Sequence, residues 1–159
     1  MRPAAPSPGE DPAGVDPRGQ RVAAAVTAVV LAVVLVTGSP WLLAAQAAVF
    51  ALAAGLGVRR SPYALAYAWL LRPRLGPPTA LEDPRPPRFA QGVGLVFAAV
   101  GMVGYLAGSA VLGAVATGLA LVAALLNSAL GLCLGCEMYL LLARARDRVR
   151  SRQTRLTPA

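Results

Sequence analysis

The sequence predicts an all-α, polytopic membrane protein: four transmembrane helices in two tandem hairpin repeats, each followed by a short interfacial helix. Three observations predict it. The 159 residues are 57% hydrophobic and only 14% charged, whereas a soluble domain carries about a quarter charged residues. The chain also repeats itself. Asp16-Pro17-Arg18-Gly19-Gln20-Arg21-Val22-Ala23 returns as Asp83-Pro84-Arg85-Pro86-Pro87-Arg88-Phe89-Ala90, and each copy opens a long apolar run that turns at a Gly-Ser pair, Gly38-Ser39 and Gly108-Ser109. Finally, every basic residue is an arginine, and none lies in those turns. With four spans, the arginine-bearing arm, central loop and tail share one face, which the positive-inside rule makes cytoplasmic.

Residues 1–15 hold Pro3, Pro6, Pro8 and Pro12 among small and acidic residues, a composition that reads as a disordered cytoplasmic arm. The first repeat covers 16–75. Asp16 suits an N-cap and Pro17 the first helical position. The first span, 22–37, reaches ~24 Å as a helix, somewhat short of the ~30 Å hydrocarbon core, and Arg21 can snorkel to close the gap. The second span, 41–58, begins after Pro40 with Trp41 at the outer interface and ends at Arg59-Arg60. Then Ser61-Pro62 starts an aromatic stretch, 62–71, too short to span and suited to the headgroup layer.

A proline-rich cytoplasmic loop, 76–88, joins the halves, and the second repeat covers 89–146. Its first span, 89–107, contains Gly101, Gly104 and Gly108, and the Gly104/Gly108 spacing lets helices approach closely. The apolar stretch that follows runs to Ala143, ~52 Å as one helix and too long for a single span. Matching it to the first copy's exit ends the span 109–130 and leaves Cys133-Leu134-Gly135-Cys136-Glu137 at the cytoplasmic boundary. An interfacial helix, about 131–146, and a basic tail, 147–159, complete the chain.

Histidine is absent, which excludes imidazole catalysis and the usual zinc and haem ligation. The formal charge of +8 invites a nucleic-acid reading, but membrane topology alone accounts for the arginine distribution, so no nucleic-acid partner is expected. The first candidate site is Cys133, Cys136 and Glu137. Cysteines three apart on a helical turn fall within disulfide reach, and a helix start with arginines nearby favours the reactive thiolate. Glu137 can pass the proton that enters or leaves Cys136. On the residues alone the alternatives stay open: two small side chains packing a tight helix with Glu137 paired to an arginine such as Arg144, or a Cu(I) site of two thiolates. Cytoplasmic placement would keep the thiols reduced unless they turn over, so a standing structural disulfide is not expected. The second candidate set is Arg18, Arg21, Arg85 and Arg88. A pseudo-twofold axis along the membrane normal would bring the two Asp-Pro-Arg-x-x-Arg elements together to hold an oxyanion or a partner's acidic surface. Setting topology is their plainer role.

From Asp16-Pro17-Arg18 through Arg60-Ser61-Pro62-Tyr63 and Pro87-Arg88-Phe89-Ala90-Gln91-Gly92 to Cys133-Leu134-Gly135-Cys136-Glu137-Met138-Tyr139, the chain resembles an uncharacterised bacterial integral-membrane family, domain of unknown function 4395, typical of actinobacteria. The resemblance covers about 15–145. It implies no established activity, but its relatives' association with thioredoxin-like and rhodanese-like sulfurtransferase proteins favours the thiol reading. The expectation is a plasma-membrane thiol/disulfide or sulfane-sulfur relay acting through Cys133, Cys136 and Glu137, with no cofactor, both termini cytoplasmic and a soluble thioredoxin-like or sulfurtransferase partner. A small oligomeric transporter of an anionic sulfur compound, and a membrane scaffold without chemistry, are the rival expectations.

Overall fold

The computed structural model describes residues 14–78 and 80–156, the last seven of these by backbone only; the expected disordered arm, in its first thirteen residues, lies outside them. The described chain is all-helical: α1 (Pro17–Thr37), α2 (Pro40–Leu56), a 3-10 turn (Val58–Arg60), α3 (Pro62–Leu70), α4 (Arg72–Leu75), α5 (Arg85–Leu106), α6 (Ala110–Leu130) and α7 (Leu134–Leu156). Three of these, α1, α5 and α6, are long and apolar enough to cross a membrane, and α2 is a shorter apolar helix of 17 residues.

Local chemistry explains the boundaries. Asp16 caps α1 by accepting from the Arg18 amide at 2.9 Å, and Pro17 fills the first turn, where a missing N–H costs nothing. The helix ends at Gly38, whose φ of 62° is the left-handed conformation that glycine adopts without penalty; its N–H donates to the Val34 carbonyl at 2.7 Å. Ser39 then caps α2 through the Leu42 amide at 3.4 Å, so the Gly-Ser pair closes one helix and opens the next.

Packing crosses between the halves of the sequence. α1 lies mainly along α6, α2 mainly along α5, and α1 and α2 touch much less. α3 folds back on α1, and α7 on α5. The core is one layer of Leu31, Val34, Leu43, Phe50, Ala98 and Ala120, with side chains such as Val29, Val36, Trp41 and Val111 facing outward. Val15 and Glu82, which stand at the same place ahead of the two Asp-Pro-Arg motifs, exchange both backbone hydrogen bonds at 2.9 and 3.0 Å. The two motifs therefore start side by side.

Several boundaries differ from the expectation. The disordered arm was expected to reach residue 15, but Val15 is buried with Ala53 and Val58 and paired to Glu82. The loop expected through residue 88 ends sooner, because Pro86 and Pro87 occupy the first turn of α5, where proline is tolerated. The close approach of α5 to α6 uses Gly101 and Gly104, not the Gly104/Gly108 pair. A Cβ at 104 would lie 2.6 Å from the Gly113 amide nitrogen, whereas Gly108 has open space around it and a φ of 77°, in the turn after α5. Finally, α7 continues to Leu156 rather than ending near 146; its continuation is rich in arginine, a good helix former, and has no proline or glycine to stop it.

Candidate functional site

The Cys-x-x-Cys segment stands where α6 hands the chain to α7. Gly131 ends α6 in the left-handed conformation, φ 69°, with its N–H on the Asn127 carbonyl at 3.0 Å. Cys133 immediately precedes α7 and occupies the position of an N-cap. Its Sγ accepts from the Cys136 amide at 3.3 Å, and its carbonyl accepts from the Glu137 amide at 3.0 Å. The corresponding place in the first half is Ser61, ahead of α3, whose Oγ accepts from the Ala64 amide at 3.2 Å. Both helices are thus capped by a side chain reaching three residues forward; one cap is a hydroxyl and the other a sulfur.

Cys133 and Cys136 are joined as a disulfide with Cα atoms 5.2 Å apart. This corrects the expectation that no disulfide would stand here. The first helical turn brings residues three apart into bonding range, and local geometry closes the pair without help from the rest of the fold. The closed form leaves no pair of thiolates for Cu(I), and among the described residues no group of three or more His, Cys, Asp or Glu is gathered for a metal.

The turn is held firmly against α5. Gly135 packs so closely that a Cβ there would lie 2.6 Å from the Ala90 Cα, and the Tyr139 ring packs on Phe89 with centroids 5.7 Å apart. Two cavities flank it. A cleft of about 520 Å³ is walled by Cys133, Cys136 and Glu137 together with Arg21 and Asp83. A larger cavity of about 750 Å³ runs into the bundle between α1, α5 and α6, and Cys133 contributes to its wall as well. Glu137 is exposed, so it meets water at the mouth of the smaller cleft.

The four arginines of the second candidate set have separate partners. Arg21 donates to the Ser128 and Ala129 carbonyls at 3.3 and 3.0 Å, at the end of α6. Arg88, its counterpart, donates to the Ala54 and Gly55 carbonyls at 2.5 and 2.6 Å, at the end of α2. Each fills the orphan carbonyls of a helix from the other half and complements the negative end of that helix. Arg18 pairs with Asp16 and reaches the Leu75 and Gly76 carbonyls, and Arg85 pairs with Asp83 at 3.5 Å in the open. The Asp-Pro-Arg elements meet as expected, but three of their four arginines close helix ends and loops.

Sequence reasoning missed the Asp16 network. Burial pushes the Asp16 carboxyl up, but the Arg18 amide and guanidinium and the Tyr67 hydroxyl, 3.0 Å away, outweigh it and hold the group below its ordinary value. Burial, and then its bond to Asp16, push the Tyr67 hydroxyl above its ordinary value. Tyr63 likewise donates to the buried Gln46 Oε1 at 2.7 Å. The signal for both was the tyrosine spacing in Tyr63-Ala64-Leu65-Ala66-Tyr67, which reads equally as a membrane-interface belt.

An apolar helical bundle with a Cys-x-x-Cys at the entry of its last helix defines the class: a membrane-suited, all-α protein with a closed cysteine pair. The chain belongs to the family described as Domain of unknown function (DUF4395), which matches residues 15–144 and so takes in both candidate sets. No curated protein and no solved structure matches it.

Proposed function

We propose that this chain is a plasma-membrane thiol/disulfide relay, in which Cys133 and Cys136 exchange electrons with a soluble cytosolic thioredoxin-like or sulfurtransferase protein. In this reading α1, α2, α5 and α6 all span, as a tandem duplication of one hairpin, and both termini are cytoplasmic. α2 reaches ~26 Å, a mismatch that local thinning of the bilayer accommodates at modest cost. The uncharged Gly-Ser turns and the arginines clustered at the opposite helix ends support that orientation.

One observation carries the chemistry: a closed Cys133–Cys136 pair at a helix N-cap, walled on one side by a cleft that also holds Arg21, Asp83 and Glu137. Disulfides facing the cytosol are mostly transient and catalytic or redox-sensing. A partner thiolate attacks the Cys133 sulfur and the Cys133–Cys136 bond breaks, leaving a mixed disulfide and the Cys136 thiolate, which takes a proton through Glu137 or water. The partner's second thiol, as thiolate, then attacks its own sulfur in the mixed disulfide and releases Cys133. Two electrons and two protons have moved from the partner dithiol to the pair. In that second step Cys133 leaves readily because the α7 amides and dipole stabilise its thiolate, which then takes its proton from water.

The transport reading has less support, since Arg18, Arg21 and Arg88 hold backbone carbonyls where anion binding needs them unoccupied. The test is the redox midpoint of the purified protein, read by thiol alkylation across a series of glutathione or dithiothreitol buffers. A reversible two-electron transition within the range of cellular dithiols is expected. A pair that stays closed at the most reducing poise, or never closes, contradicts the relay.

A further inference from the structure

We propose that the larger cavity binds a lipid-soluble quinone, which reoxidises the Cys133–Cys136 pair after a soluble dithiol has reduced it; this rests on the thiol reading above. The disulfide stands between two spaces of different size. The smaller cleft is charged, with Arg21, Asp83 and Glu137 in its wall. The larger cavity, about 750 Å³, also has charged groups in its wall, Asp16, Arg59 and Arg72, but most of its lining is apolar, including Phe50, Phe97, Leu119 and Ala123. Cys133 walls both. A redox pair so placed can meet a water-soluble partner on one side and an apolar one on the other.

The cavity exists because helix faces that meet there carry alanine where a packed core carries larger side chains. Ala23, Ala24, Ala120 and Ala123 line it, whereas the space beside Gly94 is taken by the Phe50 ring. Along α6 it extends from Asn127 to Leu119, ~12 Å of helix, enough for a quinone ring and the start of its tail. Leu119 is also 54% exposed at mid-helix, so the deep wall meets the lipid-facing surface, where an isoprenoid tail can leave. Asp16, Gln20, Arg59, Tyr67, Arg72 and Asn127 line the cavity near the helix ends, and Thr27 is a polar group deeper along α1. Gln20, which borders both spaces, has a buried amide nitrogen with no hydrogen-bond partner among the described residues, and a quinone carbonyl is an acceptor that satisfies such a donor. An alkyl chain from a phospholipid is not.

The step balances without another reactant. The two thiols lose two electrons and two protons as the sulfur–sulfur bond forms. The two quinone carbonyl oxygens gain them and become the hydroxyls of the hydroquinone.

The test uses the full chain in lipid nanodiscs, reduced with dithiothreitol, freed of reductant and kept anaerobic. A decyl-substituted benzoquinone is then added, and quinone absorbance and thiol alkylation are followed together. The expected result is one quinone consumed for each pair closed, with no consumption in a Cys133→Ser/Cys136→Ser variant. Ala123→Phe, and independently Ala23→Phe, should slow quinone reduction at least tenfold while exchange with soluble glutathione disulfide stays at the wild-type rate, which also reports that the site is folded. Equal quinone rates in both filled variants overturn the proposal, as does a wild-type pair that exchanges with glutathione but ignores the quinone. In that last case the thiol relay stands. A pair inert to both reagents overturns the relay itself.

Discussion

The two exits toward the arginine-rich side use the same cap and differ in what that cap can do. Ser61 and Cys133 each precede a helix and each accept from an amide three residues on, so backbone geometry does not distinguish them. The first exit is tied down on polar contacts: Asp16 is held by Arg18 and Tyr67, and Tyr63 by Gln46. The second rests on close packing of Gly135 and Tyr139 against α5 and carries a sulfur pair where the first has Ser61 and Ala64. One copy of a structural device is fixed by polar contacts, and the other, fixed by packing, carries a disulfide.

The largest effect expected from breaking this contrast is on exchange. Cys133→Ser turns the second cap into a copy of the first; α7 should keep its cap while thiol exchange with soluble disulfides falls to background, a loss of at least a hundredfold. Retained helicity by circular dichroism would separate lost chemistry from lost structure. Next in size is packing. Gly104→Val should destabilise the α5–α6 crossing by about 1–3 kcal/mol, because a side chain there overlaps the Gly113 backbone; Gly108→Ala, in open space but with positive φ, should cost about 1 kcal/mol. Unfolding in mixed micelles ranks the two.

A smaller effect separates the paired arginines. Arg88→Ala removes the cap on the end of α2 and should cost about 1 kcal/mol, with Arg21→Ala similar at the end of α6, whereas Arg85→Ala should change stability little because its pair with Asp83 is 76% and 52% exposed. The subtlest effect is on pH. The Asp16 carboxyl is held below its ordinary value, so its contribution is complete above the unfolded carboxylate range, near pH 4, and disappears as pH falls through the folded value. Melting between pH 6 and pH 2 should therefore show an acid loss that Asp16→Asn flattens.

The all-helical class and the starts of α2 and α3 were legible because apolar runs, proline starts and Gly-Ser turns are local signals; the start of α5 and the end of α7 were not. The cross-packing of α1 on α6 and α2 on α5 was not. In a lipid-suited bundle the helix-facing and outward-facing residues are both apolar, as Leu31 and Val29 show, so hydropathy carries little register. The cysteines were legible as a spacing, and their closure as a geometric option, but their place at an N-cap depended on where α6 ended, which only Gly131 and the alignment with the first exit suggested. Arg21 and Arg88 misled because a guanidinium that caps a distant helix and one that awaits an anion look alike in a sequence.

The relay's most direct test is capture of its partner. Cells expressing Cys136→Ser should accumulate a mixed disulfide through Cys133 with a soluble dithiol protein, released by reductant and absent from Cys133→Ser and from the double variant. Equal trapping through either cysteine would contradict the assignment of Cys133 as the reacting sulfur. No adduct in any variant, with both proteins present at wild-type levels, would contradict the relay.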